Sequence, residues 1–338
     1  MRSFHTTCLA ILFALGAGLA SAQQNTLEPV GPAARHIASL SWFVYITFGV
    51  VAIIMWALIL WVAIRRRGTL AEHEPIDAGG GQEWILTGGF LIPFVILAVI
   101  FILGLNTLAA FPVHDNISHA MPQVRVTGHQ WWWEVDYLAG PVDQHVKSAN
   151  EIHVPVGVPV DVELMAADVI HSFWVPQLHG KEDLIPGQPN LIRIQADQPG
   201  IYHGQCAEFC GEQHANMKLL VIAQPPAEYQ SWLAGQRNEA SEPVNGQERA
   251  GQEAFMTKPC ALCHTIRGTA AQGSVGPDLT HLASRRGIAA NMLINNEANL
   301  EAWVTHAQAL KPGCRMPNVT QFNGNEARML VHYLQSLQ

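Results

Sequence analysis

Gly204-Gln205-Cys206-Ala207-Glu208-Phe209-Cys210-Gly211-Glu212-Gln213-His214-Ala215-Asn216-Met217 places two thiols, an imidazole and a thioether within twelve residues. Soft sulfur donors together with imidazole select copper over hard cations, and a weak axial methionine is a habit of electron-transfer copper. A further imidazole stands in Val169-Ile170-His171-Ser172-Phe173-Trp174, an earlier loop. Two cysteines four residues apart can each bridge two metal ions, which shares the charge and keeps the geometry nearly constant on oxidation. Two plainer readings stand beside this one. A Cys206–Cys210 disulfide suits an exported domain, and a Cys2His2 zinc site uses four of the same donors but has no use for Met217.

Around this stretch the pattern is that of a β domain. From Met121 to Ala227, short β-branched runs (Val124–Thr127, Glu151–Val156, Val158–Leu164, Asn190–Gln195 and Lys218–Ala223) alternate with Pro and Gly breaks such as Pro186-Gly187-Gln188-Pro189. That spacing predicts an all-β sandwich or barrel over 121–227. Gly128-His129-Gln130-Trp131-Trp132-Trp133 lies near its start. Three successive indoles cannot share one strand face, so at least one is presented elsewhere, unless all three simply pack.

Upstream the chain is apolar. Of 338 residues 14% are charged and 49% hydrophobic, with a net charge of −8, and the apolar residues are segregated. Ile37–Ile64 and Trp84–Phe111 are 28-residue stretches without an ionised side chain. About 20 apolar residues cross a bilayer, so 36–112 reads as a two-span hairpin with spans 37–64 and 84–111. Arg65-Arg66-Arg67 follows the first span, and basic residues stay cytoplasmic, which puts both ends of the hairpin outside. Met1–Ala22 has Arg2, an apolar stretch and an Ala20-Ser21-Ala22 end, and reads as an export signal covering 1–22. Both arguments place the β domain outside the cytoplasm.

Downstream, Glu228–Gln252 is polar and broken by Ser241-Glu242-Pro243 and Asn245-Gly246, which predicts a linker over 228–248 and a separate helical domain over 249–338. Cys260-Ala261-Leu262-Cys263-His264 is a c-type haem attachment sequence; a redox dithiol is the competing use of its two cysteines. The sixth iron ligand is then Met or His. Met316, in Lys311-Pro312-Gly313-Cys314-Arg315-Met316-Pro317, is the candidate, and Met256 sits too close to the attachment site to reach the opposite face. Cys314 reads either as a small buried hydrophobe or as a reactive thiol. The β domain carries an acid excess and the helical domain a basic one, which favours docking; a flexible tether adds an effective concentration of about mM.

Residues 36–230 resemble subunit II of the haem–copper cytochrome c oxidases, with a C-terminal part that resembles class I cytochromes c, a caa3-like arrangement. The resemblance implies a multi-domain membrane protein with a two-helix transmembrane hairpin, an all-β cupredoxin-like sandwich and an all-α class I cytochrome c domain. It implies a dinuclear copper A centre with side-chain ligands His171, Cys206, Cys210, His214 and Met217, and Glu208 binding through its backbone carbonyl. It implies that the Glu208 carboxylate faces a magnesium ion at the border with the catalytic subunit. Asp183 is a second candidate there, or else a turn-capping residue. Trp131 is implied as the surface aromatic, above the copper centre, through which electrons enter. Haem c is implied as covalently held by Cys260 and Cys263, with His264 and Met316 on the iron and the Pro277 carbonyl fixing the His264 ring. Glu83 matches the family's carboxylate near a proton channel only loosely, because Pro93 falls further on than the common pattern; its alternative is an interfacial residue ending the hairpin.

The implied activity is electron transfer within a terminal oxidase that reduces oxygen to water in a partner subunit. The implied partners are the haem-bearing catalytic subunit I and the other oxidase subunits, a cytochrome c or bc1-type complex as donor, and the membrane, but no nucleic acid. The implied location is the bacterial inner membrane, multi-pass, with both cofactor domains on the periplasmic side. A nitrous oxide reductase-like enzyme would need a large histidine-rich catalytic domain that these residues do not contain. A copper-delivery or scaffold protein would have no use for a haem.

Overall fold

The computed structural model describes residues 24–65, 81–111, 123–319, 322 and 324–338. The segment 1–22 expected to be an export signal, most of the loop between the two apolar helices, and Arg66 and Arg67 lie outside the described residues. Helix α1 (Pro32–Arg65) and helix α2 (Gly81–Ala109) are both long and apolar enough to cross a membrane. Their large side chains, such as Trp56 and Ile64 on α1 and Phe101 on α2, point outward, as a lipid-facing surface requires. Within α2, Ile85–Leu91 widens to a π-helix just before Pro93. Proline has no N–H and crowds the preceding turn, and the wider turn accommodates it. The sandwich is pinned onto the outer end of α1. Arg35 bonds Asp197 at 2.5 Å, and the backbone N–H groups of Val30 and Gly31 both donate to the Gln177 carbonyl.

Ten strands form two five-stranded sheets. One has the order β3 (Val146–Ala149), β2 (Trp132–Tyr137), β1 (Val124–His129), β5 (Val160–Ala166), β8 (Asn190–Ile194). The other runs β4 (Glu151–Pro155), β10 (Lys218–Gln224), β9 (Gly200–Cys206), β6 (His171–Trp174), β7 (Glu182–Leu184). Pairing is antiparallel except for β1 with β5 and β4 with β10. β1 and β2 alternate buried and half-buried residues, so Val124, Val126, Trp133, Val135 and Tyr137 enter one core with Phe173, Leu184 and Val221. Burying side chains of this size stabilises by about 1.5–3 kcal/mol each.

The three indoles separate as strand alternation demands. Trp133 is fully buried, Trp132 turns to the other face and stacks on His129 with ring centres 4.5 Å apart, and Trp131 precedes the strand.

The polar segment after β10 is not extended throughout. Helix α3 (Pro226–Gln236) occupies its first part. Tyr229, Trp232 and Leu233 form an apolar stripe at helical spacing. Trp232 stacks on His153 with ring centres 3.8 Å apart and meets Tyr137 edge-on at 5.1 Å. The helical domain follows: α4 (Gly246–Thr257), a short turn at Cys260–Cys263, α5 (Glu297–Leu310) and α6 (Gly324–Ser336). Asn245 caps α4 by accepting from the N–H groups of Gln247 and Glu248, satisfying two of its otherwise unpaired donors. α4 and α6 cross with Phe255 against Tyr333, and Leu300, Val304, Leu330 and Leu334 complete a second core.

Candidate copper and haem sites

The loop between β9 and β10 brings Cys206, Cys210, His214 and Met217 together, and the start of β6 adds His171. The Cys206 and Cys210 sulfurs stand 3.8 Å apart and unbonded. Each has its own imidazole: His171 Nδ1 lies 3.9 Å from the Cys206 sulfur, and His214 Nδ1 lies 3.6 Å from that of Cys210. The Met217 sulfur is 3.9 Å from Cys210 Sγ, and the Glu208 carbonyl is 3.2 Å from Cys206 Sγ. Six donors in mirrored pairs about two sulfurs exceed the four of a structural zinc site, and their softness fits copper. Among the described residues, His171, Cys206 and Cys210 are the group of His, Cys and acidic side chains close enough to hold one ion.

The surroundings orient these donors. Asp168 accepts from His171 Nε2 at 2.9 Å and also from the N–H groups of Gln130 and Val169. The ring is thereby turned with Nδ1 toward the sulfur, the usual task of a carboxylate behind a metal-binding histidine. Burial works against a charged His171, but its bonds to Cys206 and Asp168 outweigh that and hold its pKa above the ordinary value. The neighbouring Cys210 sulfur, and then His171, favour the thiolate of Cys206, whereas Cys210 is pushed up by that same neighbour and by burial. Gly128 permits the close approach of His171: a Cβ there would stand 2.7 Å from the ring.

The Glu208 carboxylate is 44% exposed and 3.9 Å from Lys181 Nζ. Asp183 sits on β7 opposite Ser172, and its carbonyl accepts from Asn190 Nδ2.

In the helical domain, Cys260, Cys263, His264 and Met316 line one cavity of about 190 Å3, walled also by Leu330 and Lys311. His264 Nδ1 bonds the Pro277 carbonyl at 2.8 Å, which leaves Nε2 for a metal. Gly276 packs flat on that ring, where a Cβ would lie 2.6 Å from Cε1. The residues fit a c-type haem: two thiols, one oriented imidazole and a thioether around a mainly apolar cavity.

The same cavity is closed on one side by Gln130, Trp131 and Trp132 of the sandwich. Trp131 is therefore only 9% exposed, where the family resemblance implied a surface aromatic. Its Nε1 donates to the Cys210 carbonyl at 3.0 Å, and Gln130 Nε2 donates to the same oxygen at 2.8 Å. Glu83 lies on the first turn of α2. Cys314 lines the haem-side cavity, with Gln308 Nε2 at 3.3 Å. Asp168, Gln130 and Lys311 were not singled out from sequence. Asp168 alone carried a signal, an acid three residues before His171.

Comparison with known proteins agrees. Residues 139–224 match the family model for the periplasmic domain of cytochrome c oxidase subunit II, and residues 248–338 match that for cytochrome c. Cytochrome c oxidase subunit 2 of Alkalihalophilus pseudofirmus is 34% identical over 317 residues, covering 93% of this chain and 91% of the relative. That of Bacillus subtilis is 26% identical over 347 residues, covering 98% and 96%. The solved periplasmic domain of subunit II of cytochrome oxidase from Bradyrhizobium japonicum is 31% identical, with a TM-score of 0.32 over 34% of this chain and 91% of that one. The chain belongs to the cytochrome c oxidase subunit 2 family, as a membrane-anchored member with a periplasmic copper domain followed by a cytochrome c domain.

Proposed function

We propose that this chain collects single electrons in its cytochrome c domain and passes them by way of Trp131 to a dinuclear copper A centre, which serves the oxygen-reducing catalytic subunit of a terminal oxidase. The observation that carries this is the position of Trp131, which walls the haem-side cavity and is bonded to the residue that supplies a copper thiol. His171, Cys206, Cys210, His214 and Met217, with the Glu208 carbonyl, would hold the copper. Cys260 and Cys263 would hold haem c covalently, with His264 and Met316 on its iron. Bound copper and haem supply reversible one-electron chemistry; the polypeptide does the rest. Asp168 holds His171 in one orientation, Pro277 does the same for His264, and burial of Cys206, Cys210 and Met217 excludes water from the copper loop, so little rearranges as charge moves.

The remaining assignments follow from that reading. Glu208, with Asp183 as a second candidate, would bind magnesium at the border with the catalytic subunit. The partners would be that haem-bearing subunit and the other oxidase subunits, with a cytochrome c or a bc1-type complex as donor. The chain would sit in the bacterial inner membrane as a multi-pass protein. Elemental analysis and spin resonance of the purified oxidase test the core claim. Two copper ions with a mixed-valence signal, lost in Cys206→Ser, are expected. Metal-replete protein without copper, or copper reduction unaffected by His264→Ala, would refute it.

A further inference from the structure

The two cofactor domains meet through polar groups that are not among the candidate copper or iron ligands. Lys311, the residue after α5, is 2% exposed. Its ammonium donates to the carbonyls of Trp131 at 2.8 Å, Asn216 at 2.8 Å and Ala289 at 3.0 Å. An ammonium has three protons, and all three are used without a carboxylate. Two of the acceptors belong to the copper domain: Trp131 carries the indole over Cys210, and Asn216 immediately precedes Met217. The third opens Ala289-Ala290-Asn291, three successive non-glycine residues with φ of 55°, 62° and 55°. Single residues other than glycine seldom adopt that conformation, and a run of three persists only where its surroundings fix it.

Here the whole run is engaged at the seam. Ala289 accepts from Lys311. The Ala290 carbonyl accepts from the Lys218 N–H at 3.3 Å, and Asn291 Nδ2 donates to the Asn150 carbonyl at 2.7 Å. The seam continues where Glu151 Oε1 accepts from the N–H groups of Arg286 and Gly287 at 2.6 and 3.1 Å, and Gln213 Nε2 donates to the Pro312 carbonyl at 3.0 Å.

We infer that Lys311 is a positioning residue: with the left-handed turn Ala289–Asn291 it locks the cytochrome domain onto the copper loop, fixing the separation of the two redox sites. This rests on the electron route proposed above. A tethered carrier held by opposite charges docks and leaves, and salt screens its attraction. The Lys311 acceptors are uncharged carbonyls, and its buried ammonium is satisfied only while both domains are in place. Because electron tunnelling weakens exponentially with separation, a locked seam gives one rate instead of a distribution.

The test uses the intact oxidase. Treatment with an amine-acetylating reagent, followed by peptide mass spectrometry, reads how often Lys311 is uncovered. We expect it to react at least 100-fold more slowly than Lys147, whose side chain is 56% exposed, at low and high salt alike; comparable rates overturn the lock. In parallel, an electron photoinjected into the haem is followed to copper. Lys311→Met, and Asn291→Gly, which keeps the left-handed backbone but loses the bond to Asn150, should slow transfer at least tenfold and make it salt-dependent, with the copper spin signal unchanged in both and the haem spectrum unchanged in Asn291→Gly, which lies off the haem-side cavity. Unaltered transfer in both variants overturns the lock. If Lys311 is protected but the injected electron never reaches copper in the wild-type enzyme, the lock stands and the electron route falls.

Discussion

Trp131 Nε1 donates a 3.0 Å hydrogen bond to the backbone carbonyl of Cys210, which joins the wall of the haem-side cavity to the copper loop through one indole. Trp131→Phe keeps an aromatic wall but loses the N–H. Gln130 Nε2 still reaches that carbonyl, so the stability cost should stay near the low end of the roughly 1–3 kcal/mol expected for an orphaned buried group. The expected outcome is slower electron arrival at copper, by about tenfold (about 1.4 kcal/mol of barrier), with an unaltered copper spin signal. Wild-type transfer rates in this variant would remove Trp131 from the route.

Asp168 supports His171 from behind. Asp168→Ala leaves the imidazole free to turn, and losses of roughly 10–100-fold in metal affinity are typical when such a partner is removed. Competition with a copper chelator checks this, and Asp168→Asn, which can still accept a hydrogen bond, should fall between the two.

Gly276 and Gly128 make the same prediction at different metals. A methyl group at Gly276 would stand 2.6 Å from His264, and one at Gly128 would stand 2.7 Å from His171. Gly276→Ala should perturb the haem absorption spectrum and leave copper content intact, and Gly128→Ala should do the reverse. A spectrum and copper content unchanged in both variants would show that the rings can yield.

Helix α3 should loosen in acid. Burial lowers the pKa of His153 to about 4, against the hydrogen bond that its Nδ1 donates to the Gln224 side-chain oxygen, which raises it. Between about pH 6.5 and 4 the unfolded chain binds a proton that the folded chain does not, so stability declines as pH falls through that window, by up to about 3 kcal/mol. Amide exchange along α3 should therefore speed up at pH 4.5 relative to pH 7. His153→Phe, which keeps a ring against Trp232, should abolish that acid sensitivity.

Local chemistry was readable from the residues themselves. Cys206, Cys210, His214 and Met217 lie in one short loop, and Cys260, Cys263 and His264 are adjacent, so neither set needed the fold to bring it together. The two apolar spans were legible for a similar reason, because hydrocarbon thickness sets a length that sequence displays directly. Strand pairing was less so: β3, β6, β7 and β9 have no strong alternation of their own and are held by their neighbours in the sheets. Helix α3 was hidden in a polar segment, with only Tyr229, Trp232 and Leu233 marking its buried stripe.

What the chain determined on its own was which atoms can hold metal, because donor type and spacing are covalent properties. Tertiary structure decided how the two metal-binding domains face one another. Trp131 is covered and Lys311 is buried because segments 79 to 180 residues apart in the chain pack together, and no local pattern encodes a contact between surfaces that form only once both domains have folded.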